Sequence, residues 1–238
     1  VIVCIKASKI KLLLTIKTII VLTKSQINAL NILCLFLRSM NEELVNKIAI
    51  FASGSGTNAE NLIKYFKDKL NLAQIVLVLT NNKNAGVINK CKKLAVPVFI
   101  LNNSHFENTE NLINLLKKNK VDWIVLAGFL RKINPHLIAE FPKRIINIHP
   151  ALLPKYGGKG MYGHFIHEAV VAAAEKESGI TIHFVNENYD EGTIIFQVHC
   201  MIDKNENATT LAAKIHDLEQ RHFPVVLEQL LQKEESKN

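Results

Sequence analysis

Five apolar runs of strand length, each parted from the next by a segment whose apolar residues recur every three or four positions, constrain this chain more than any other feature. The runs fall at 47–52 (KIAIFA), 74–80 (QIVLVLT), 96–101, 123–126 and 144–148, and the intervening segments at 58–70, 85–94, 108–118 and 135–141. Strands separated by a helix cannot close hairpins with their sequence neighbours; they lie parallel, with the helices as crossovers. Runs apolar along nearly their whole length need cover on both faces, as a doubly wound sheet provides. Pro97 fits near the start of the third run, where a missing ladder N–H is tolerated. Beyond a loop at 150–163 the pattern predicts a helix over 164–176. It then predicts an antiparallel strand pair at 180–185 and 194–201, and a long helix over 209–232. The expected fold is α/β, a single-domain, doubly wound, mostly parallel Rossmann-like sheet with an antiparallel C-terminal strand pair and a long C-terminal helix.

The formal charge of +8 suggests nucleic acid or a membrane surface only if it is spread over the fold. Residues 1–39 hold six basic side chains (Lys6, Lys9, Lys11, Lys17, Lys24, Arg38) and no acid, which leaves 23 basic against 21 acidic residues elsewhere, a net of +2. That balance disfavours both partners. The longest charge-free stretch of the leader, 25–37, has 13 residues, short of the ~20 that span a bilayer. The first methionine is Met40, so residues 1–39 are expected to be upstream sequence outside the native protein, and 40–238 the domain. Cys4 and Cys34 lie in the leader, and Cys91 and Cys200 stand apart without CxxC spacing. Neither a disulfide framework nor a cysteine zinc site is expected, and a reducing cytoplasm is the default.

Between the first run and first helix lies Ser53-Gly54-Ser55-Gly56-Thr57-Asn58-Ala59, close to the pattern in which amides at a helix N-terminus hold a phosphate. It lacks the GK[ST] ending of a nucleoside-triphosphate loop. The second run ends in Thr80-Asn81-Asn82-Lys83, without the acid a dinucleotide's ribose requires. A simple phosphate, such as a phosphoribosyl group, or merely a tight turn remains.

The tract INIHPALLPKY at 146–156 places Asn147 and His149 on one face of a strand end, because strand side chains alternate. An amide and an imidazole there suit a reaction that builds charge on a carbonyl oxygen. An Asn turn capped by a His accounts for the same spacing. His164 and His167 are three apart on a helix, with no third ligand at recognisable spacing, so no metal is expected.

Four segments, IFASGSGTN, LAGFLRKI (126–133), NIHPALLPKYGG (147–158) and GITIHFVNENYDEG (179–192), together resemble the phosphoribosylglycinamide formyltransferases, the folate-dependent transformylases of purine synthesis. The resemblance runs from about residue 47 to 231. It implies a catalytic trio of Asn147, His149 and Asp190, with protonated His149 and Asn147 stabilising an oxyanion while Asp190 raises and orients the imidazole. It further implies that Gly56, Thr57 and Asn58 grip the phosphate of glycinamide ribonucleotide and that Glu219 meets its glycinamide or ribose end. The co-substrate 10-formyltetrahydrofolate is expected along Leu130, Arg131, Lys132 and Ile133, against Leu126 and the loop bearing Asn186 and Asn188, with His183 near the active centre. Taken without the resemblance, Asp190 is a turn acid, Glu219 a solvated helix residue, Arg131 a solvent-facing residue and His183 a core histidine.

Two departures from the pattern stand out: Ala151 where the family has a serine, and a longer, glycine-rich stretch GGKGMYG at 157–163. Small-molecule substrates and a monomer or homodimer are expected. A methionyl-tRNA formyltransferase is expected to add a domain of roughly 100 residues and a basic surface for tRNA. A formyltetrahydrofolate hydrolase is expected to carry an N-terminal regulatory domain, for which residues 1–39 are short and basic. The further alternative is a non-catalytic nucleotide-binding relative, which has no need of the trio.

Overall fold

The computed structural model describes residues 45–236; the leader at 1–39, expected to be separate, lies outside them. Strand β1 (Asn46–Phe51) leads through the glycine loop into helix α1 (Thr57–Lys67), and β2 (Ala73–Thr80), α2 (Gly86–Lys93) and β3 (Val98–Ile100) follow. Two helices, α3 (Asn103–Glu107) and α4 (Thr109–Lys118), precede β4 (Trp123–Leu126), α5 (Pro135–Glu140) and β5 (Ile145–His149). The chain closes with α6 (His164–Ala172), β6 (Glu177–Phe184), β7 (Ile194–Met201) and α7 (Ala208–Glu235).

The sheet order is β3-β2-β1-β4-β5-β6-β7. Strands β1 to β5 pair in parallel, and β6 and β7 are antiparallel to their neighbours. The first crossovers step outward from β1 on one side and the later ones on the other. The switch point therefore lies between β1 and β4, where open α/β sheets hold ligands beyond their strand C-termini. Both faces are covered as the apolar runs require. Leu62 and Phe66 of α1, Ile166 of α6 and Leu211, Ile215 and Phe223 of α7 pack on one face with Ile48 and Ile50. On the other, Leu112, Ile113 and Leu116 of α4 and Leu137 of α5 meet Phe51 and Ile124.

Several boundaries differ from expectation for local reasons. The ladder of β3 starts at Val98 because Pro97 has no N–H to give, although its carbonyl still accepts from Val78 N at 2.9 Å. Helix α6 stops at Ala172 because the chain turns into β6 through Ala174, at φ +51. Helix α3 was not expected; its five residues are too few for a periodic signal.

Helix α7 runs through Pro224. A proline there leaves the carbonyl of Gln220, four residues earlier, without its helical donor. The side chain of Asn61 on α1 takes that carbonyl at 2.7 Å.

Candidate active site

Gly56 sits at φ +73 as the residue before α1, and a side chain there would strike Val87, 2.5 Å from the Cβ position. Glycine is required twice over, by backbone conformation and by the approach of α2. The first helical bond runs from Glu60 N to Gly56 O at 2.9 Å, so the amides of Thr57, Asn58 and Ala59 have no acceptor within the helix. They face the positive end of the helix dipole, the arrangement that receives an anion. Asn58 does not offer its side chain to that anion. Its Nδ2 donates to Glu219 Oε2 at 2.9 Å and its Oδ1 accepts from Gln220 Nε2 at 2.7 Å.

At the end of β5, Asn147 and His149 share a face as alternation demands, and the antiparallel register sets Asn147 opposite His183. His183 Nδ1 lies 2.8 Å from the carbonyl of Phe184, which can only accept, so the neutral ring keeps its proton there. Nε2 is then an acceptor for Asn147 Nδ2 at 3.1 Å. The other amide hydrogen of Asn147 has only a long contact, 3.4 Å to Asp190 Oδ1, and is available to a developing oxyanion. By the same reasoning His149 Nε2, 2.8 Å from the carbonyl of Tyr156, carries that ring's proton. Its Nδ1 faces Asp190 Oδ2 at 3.6 Å.

Asp190 is held from three sides: Gly158 N donates to Oδ2 at 2.9 Å, and Oδ1 lies near Asn147 and 3.6 Å from His183 Nε2. The residue occupies φ +57, an uncommon conformation for a non-glycine that recurs at functional sites. Burial alone raises its carboxyl. Against burial stand the His183 ring, when it carries a proton on Nε2, the charge of His149, when that ring is protonated, and the Gly158 amide; together they hold the carboxyl below the ordinary 3.8. His149 moves down from 6.5, chiefly because burial penalises the cation; Asp190 and the Tyr156 carbonyl oppose this without reversing it. Asp190 pulls the ring upward, as expected, but in a ring 3% exposed desolvation is the larger effect.

The loop amides and the Asn147–His149–Asp190 group line one cleft of about 820 Å³, with Gly158 to Gly163 forming a rim and His167, Ile215, His216 and Glu219 a wall. Glu219 is not a solvated helix residue. Its side chain is 13% exposed, and besides Asn58 it meets His216 Nδ1 at 3.4 Å. That contact draws the His216 pKa up.

Of the residues expected at the folate, only Leu130 lines this cleft. Leu126 and Ile133 are buried in the opposite core. Arg131 is turned aside, with its guanidinium 4.4 Å from the Phe106 ring centroid and 3.3 Å from Asn103 Oδ1. Lys132 lies over Tyr189, 5.8 Å away. Asn186 and Asn188 are exposed and brace their own loop, Asn186 Oδ1 accepting from Asn188 N at 3.0 Å. His164 pairs with Glu168 at 3.0 Å, and no cluster of three metal-ligating side chains occurs among the described residues.

Sequence reasoning missed Ser53, which donates to Asn81 Oδ1 at 2.6 Å and accepts from Leu130 N at 3.0 Å, tying the glycine loop to the β4 exit. It also missed the carbonyl of Tyr156 and the side chains of Gln220 and His167. The sequence places Ser53 in the glycine loop but not its partners, and carries no signal for the Tyr156 carbonyl or Gln220, since each acts across the fold; its spacing offers His167 only as a metal ligand.

Residues 46–227 match the family model described as Formyl transferase. The chain is 37% identical over 194 residues to the chloroplastic phosphoribosylglycinamide formyltransferase of Arabidopsis thaliana, covering 79% of this chain and 66% of that protein, so it spans slightly under two thirds of the plant relative. It is 34% identical to the phosphoribosylglycinamide formyltransferase of Bacillus subtilis, covering 79% of this chain and 95% of the other. The crystal structure of the Bacillus halodurans phosphoribosylglycinamide formyltransferase superposes with a TM-score of 0.72 at 36% identity, over 79% of this chain and 96% of that one.

Proposed function

The chain belongs to the formyl transferase family, and we propose that it carries the formyl group of 10-formyltetrahydrofolate to the amine of glycinamide ribonucleotide, a step of purine synthesis. One observation supports this above the others: a single cleft joins the bare amides at the start of α1 to Asn147, His149 and Asp190. A substrate held by its phosphate at one end would present its amine to the trio at the other.

The amine attacks the formyl carbon; a C–N bond forms and the carbonyl oxygen takes up negative charge. Asn147, through its weakly engaged amide hydrogen, donates to that oxygen. His149 enters neutral, with its Nδ1 lone pair toward Asp190, and accepts the proton the amine releases. The resulting imidazolium, its Nδ1–H toward the Asp190 carboxylate and its Nε2–H on the Tyr156 carbonyl, is stabilised by Asp190 and in turn stabilises the oxyanion through its charge. Collapse breaks the bond to the folate nitrogen, and that nitrogen takes the proton back. Tyr156 holds the tautomer on which this sequence depends.

Leu130 and the backbone of the β4 exit are the proposed folate contacts at the cleft mouth. The chain's own setting is proposed to be the cytoplasm, in keeping with the free thiols of Cys91 and Cys200.

The test is formyl transfer from 10-formyltetrahydrofolate to glycinamide ribonucleotide, with an acceptor-free control. Acceptor-dependent turnover is the expected result. Deformylation without acceptor would make the protein a hydrolase, and ligand binding without turnover a silent relative.

A further inference from the structure

His167 stands one turn inside α6 and is 6% exposed, yet its ring lines the cleft. Its Nδ1 is sealed from solvent and has no hydrogen-bond partner. Its Nε2 has no protein partner among the described residues either, but is not sealed, so it is the polar atom that the ring presents to the cleft. An imidazole that needed its polarity only for packing would be expected to satisfy one nitrogen within the protein. Here neither is satisfied, and the ring lines the same cleft as Glu219, the glycine loop and the catalytic group, near enough to Glu219 and His149 to feel their charge.

Resting on the formyl-transfer reading, we propose that His167 is a substrate-binding residue, whose Nε2–H donates a hydrogen bond to a neutral oxygen of the phosphorylated acceptor in the segment between its phosphate and its amine. A buried unpaired N–H is costlier than a buried unpaired lone pair. The neutral tautomer accordingly keeps its proton on Nε2, which has access to a ligand, rather than on Nδ1, which does not. Burial, more than any neighbour, holds the ring below its ordinary 6.5. The ring is therefore neutral at pH 7 and suited to a sugar hydroxyl or amide carbonyl more than to the phosphate, for which α1 already supplies amides. Glu219, an acceptor, and His167, a donor, form complementary points on one wall.

Two near-isosteric variants separate this role from packing. The amide of Gln reaches about where Nε2 does, whereas that of Asn reaches only to the position of Nδ1. The measurement is calorimetric binding of glycinamide ribonucleotide to the full chain, alongside steady-state kinetics. His167→Asn is expected to weaken nucleotide binding and raise its KM roughly tenfold, the loss of one hydrogen bond with its buried partner left unpaired. KM for the folate should stay unchanged and kcat nearly so. His167→Gln is expected to recover most of the affinity. Equal nucleotide affinity in wild type and His167→Asn, with only a lowered melting temperature, would assign the ring to packing and overturn the inference. So would a Gln variant no better than the Asn variant. If wild-type protein itself fails to bind the nucleotide, the formyl-transfer reading falls first and the inference falls with it.

Discussion

His149 illustrates how one side chain's chemistry depends on which opposing effect is larger. Attraction to Asp190 at 3.6 Å favours the cation; desolvation of a ring almost sealed in the protein disfavours it and prevails. The expected outcome is a His149 resonance titrating below 6.5 by NMR, and lower still in Asp190→Asn, where the upward pull is gone; titration above 6.5 would contradict it. Asp190→Asn should also cost on the order of a hundredfold or more in kcat, because the imidazolium formed during the reaction loses its counter-charge. The linkage to stability has a definite sign. As pH falls below 6.5 the unfolded chain takes up protons at His149 and His167 that the folded chain refuses, so these two rings reduce stability toward acid. His216, raised by Glu219, acts oppositely: its contribution is full below 6.5 and is lost as pH rises through its folded value. Asp190 contributes stability above 3.8 that is lost as pH falls through its depressed value.

Helices α1 and α7 are joined by hydrogen bonds, one of which a proline makes necessary. Pro224 frees the Gln220 carbonyl, Asn61 accepts the role of donor, and the neighbouring Asn58–Glu219 and Asn58–Gln220 bonds carry the join to the phosphate loop. Asn61→Ala should therefore lower stability by about 1–2 kcal/mol in denaturant unfolding, since it strands a carbonyl with restricted access to water. An unchanged midpoint would show that water replaces the amide freely. The β6–β7 connection is tighter. A side chain at Gly192 would place its Cβ 1.7 Å from the carbonyl of Phe184, so the backbone must move to admit one. Gly192→Ala should displace Asp190, two residues before it, and depress kcat far more than the KM of either substrate. A variant with wild-type kcat would show that the loop absorbs the shift without moving its acid.

Across the whole molecule, the cleft is assembled from the glycine loop and the start of α1, the β4 exit, β5, the 158–163 loop, the β6–β7 loop, α6 and α7, so a ligand bound there ties distant parts of the sequence together. Saturating glycinamide ribonucleotide, at about a hundred times its Kd, should stabilise the fold by roughly 2.7 kcal/mol. That raises the melting temperature by about 5–10 °C for a domain of this size; no shift would mean the nucleotide does not bind the folded state. The layered parallel sheet was readable in the sequence because its information is periodic: an apolar run such as QIVLVLT can be buried on both faces in few other ways. Asn147 and His149 were readable as a pair because alternation alone sets them on one face. Tertiary structure alone decided that His183 lies opposite Asn147, that the Tyr156 carbonyl selects the tautomer of His149, and that Leu126 and Ile133 belong to the far core. It also turned Glu219 inward to meet Asn58. Local pattern determines which face of an element a residue occupies. What lies across from that face, and how little water remains between, depends on hydrogen bonds between residues up to 163 positions apart, and those are settled only when the chain has folded.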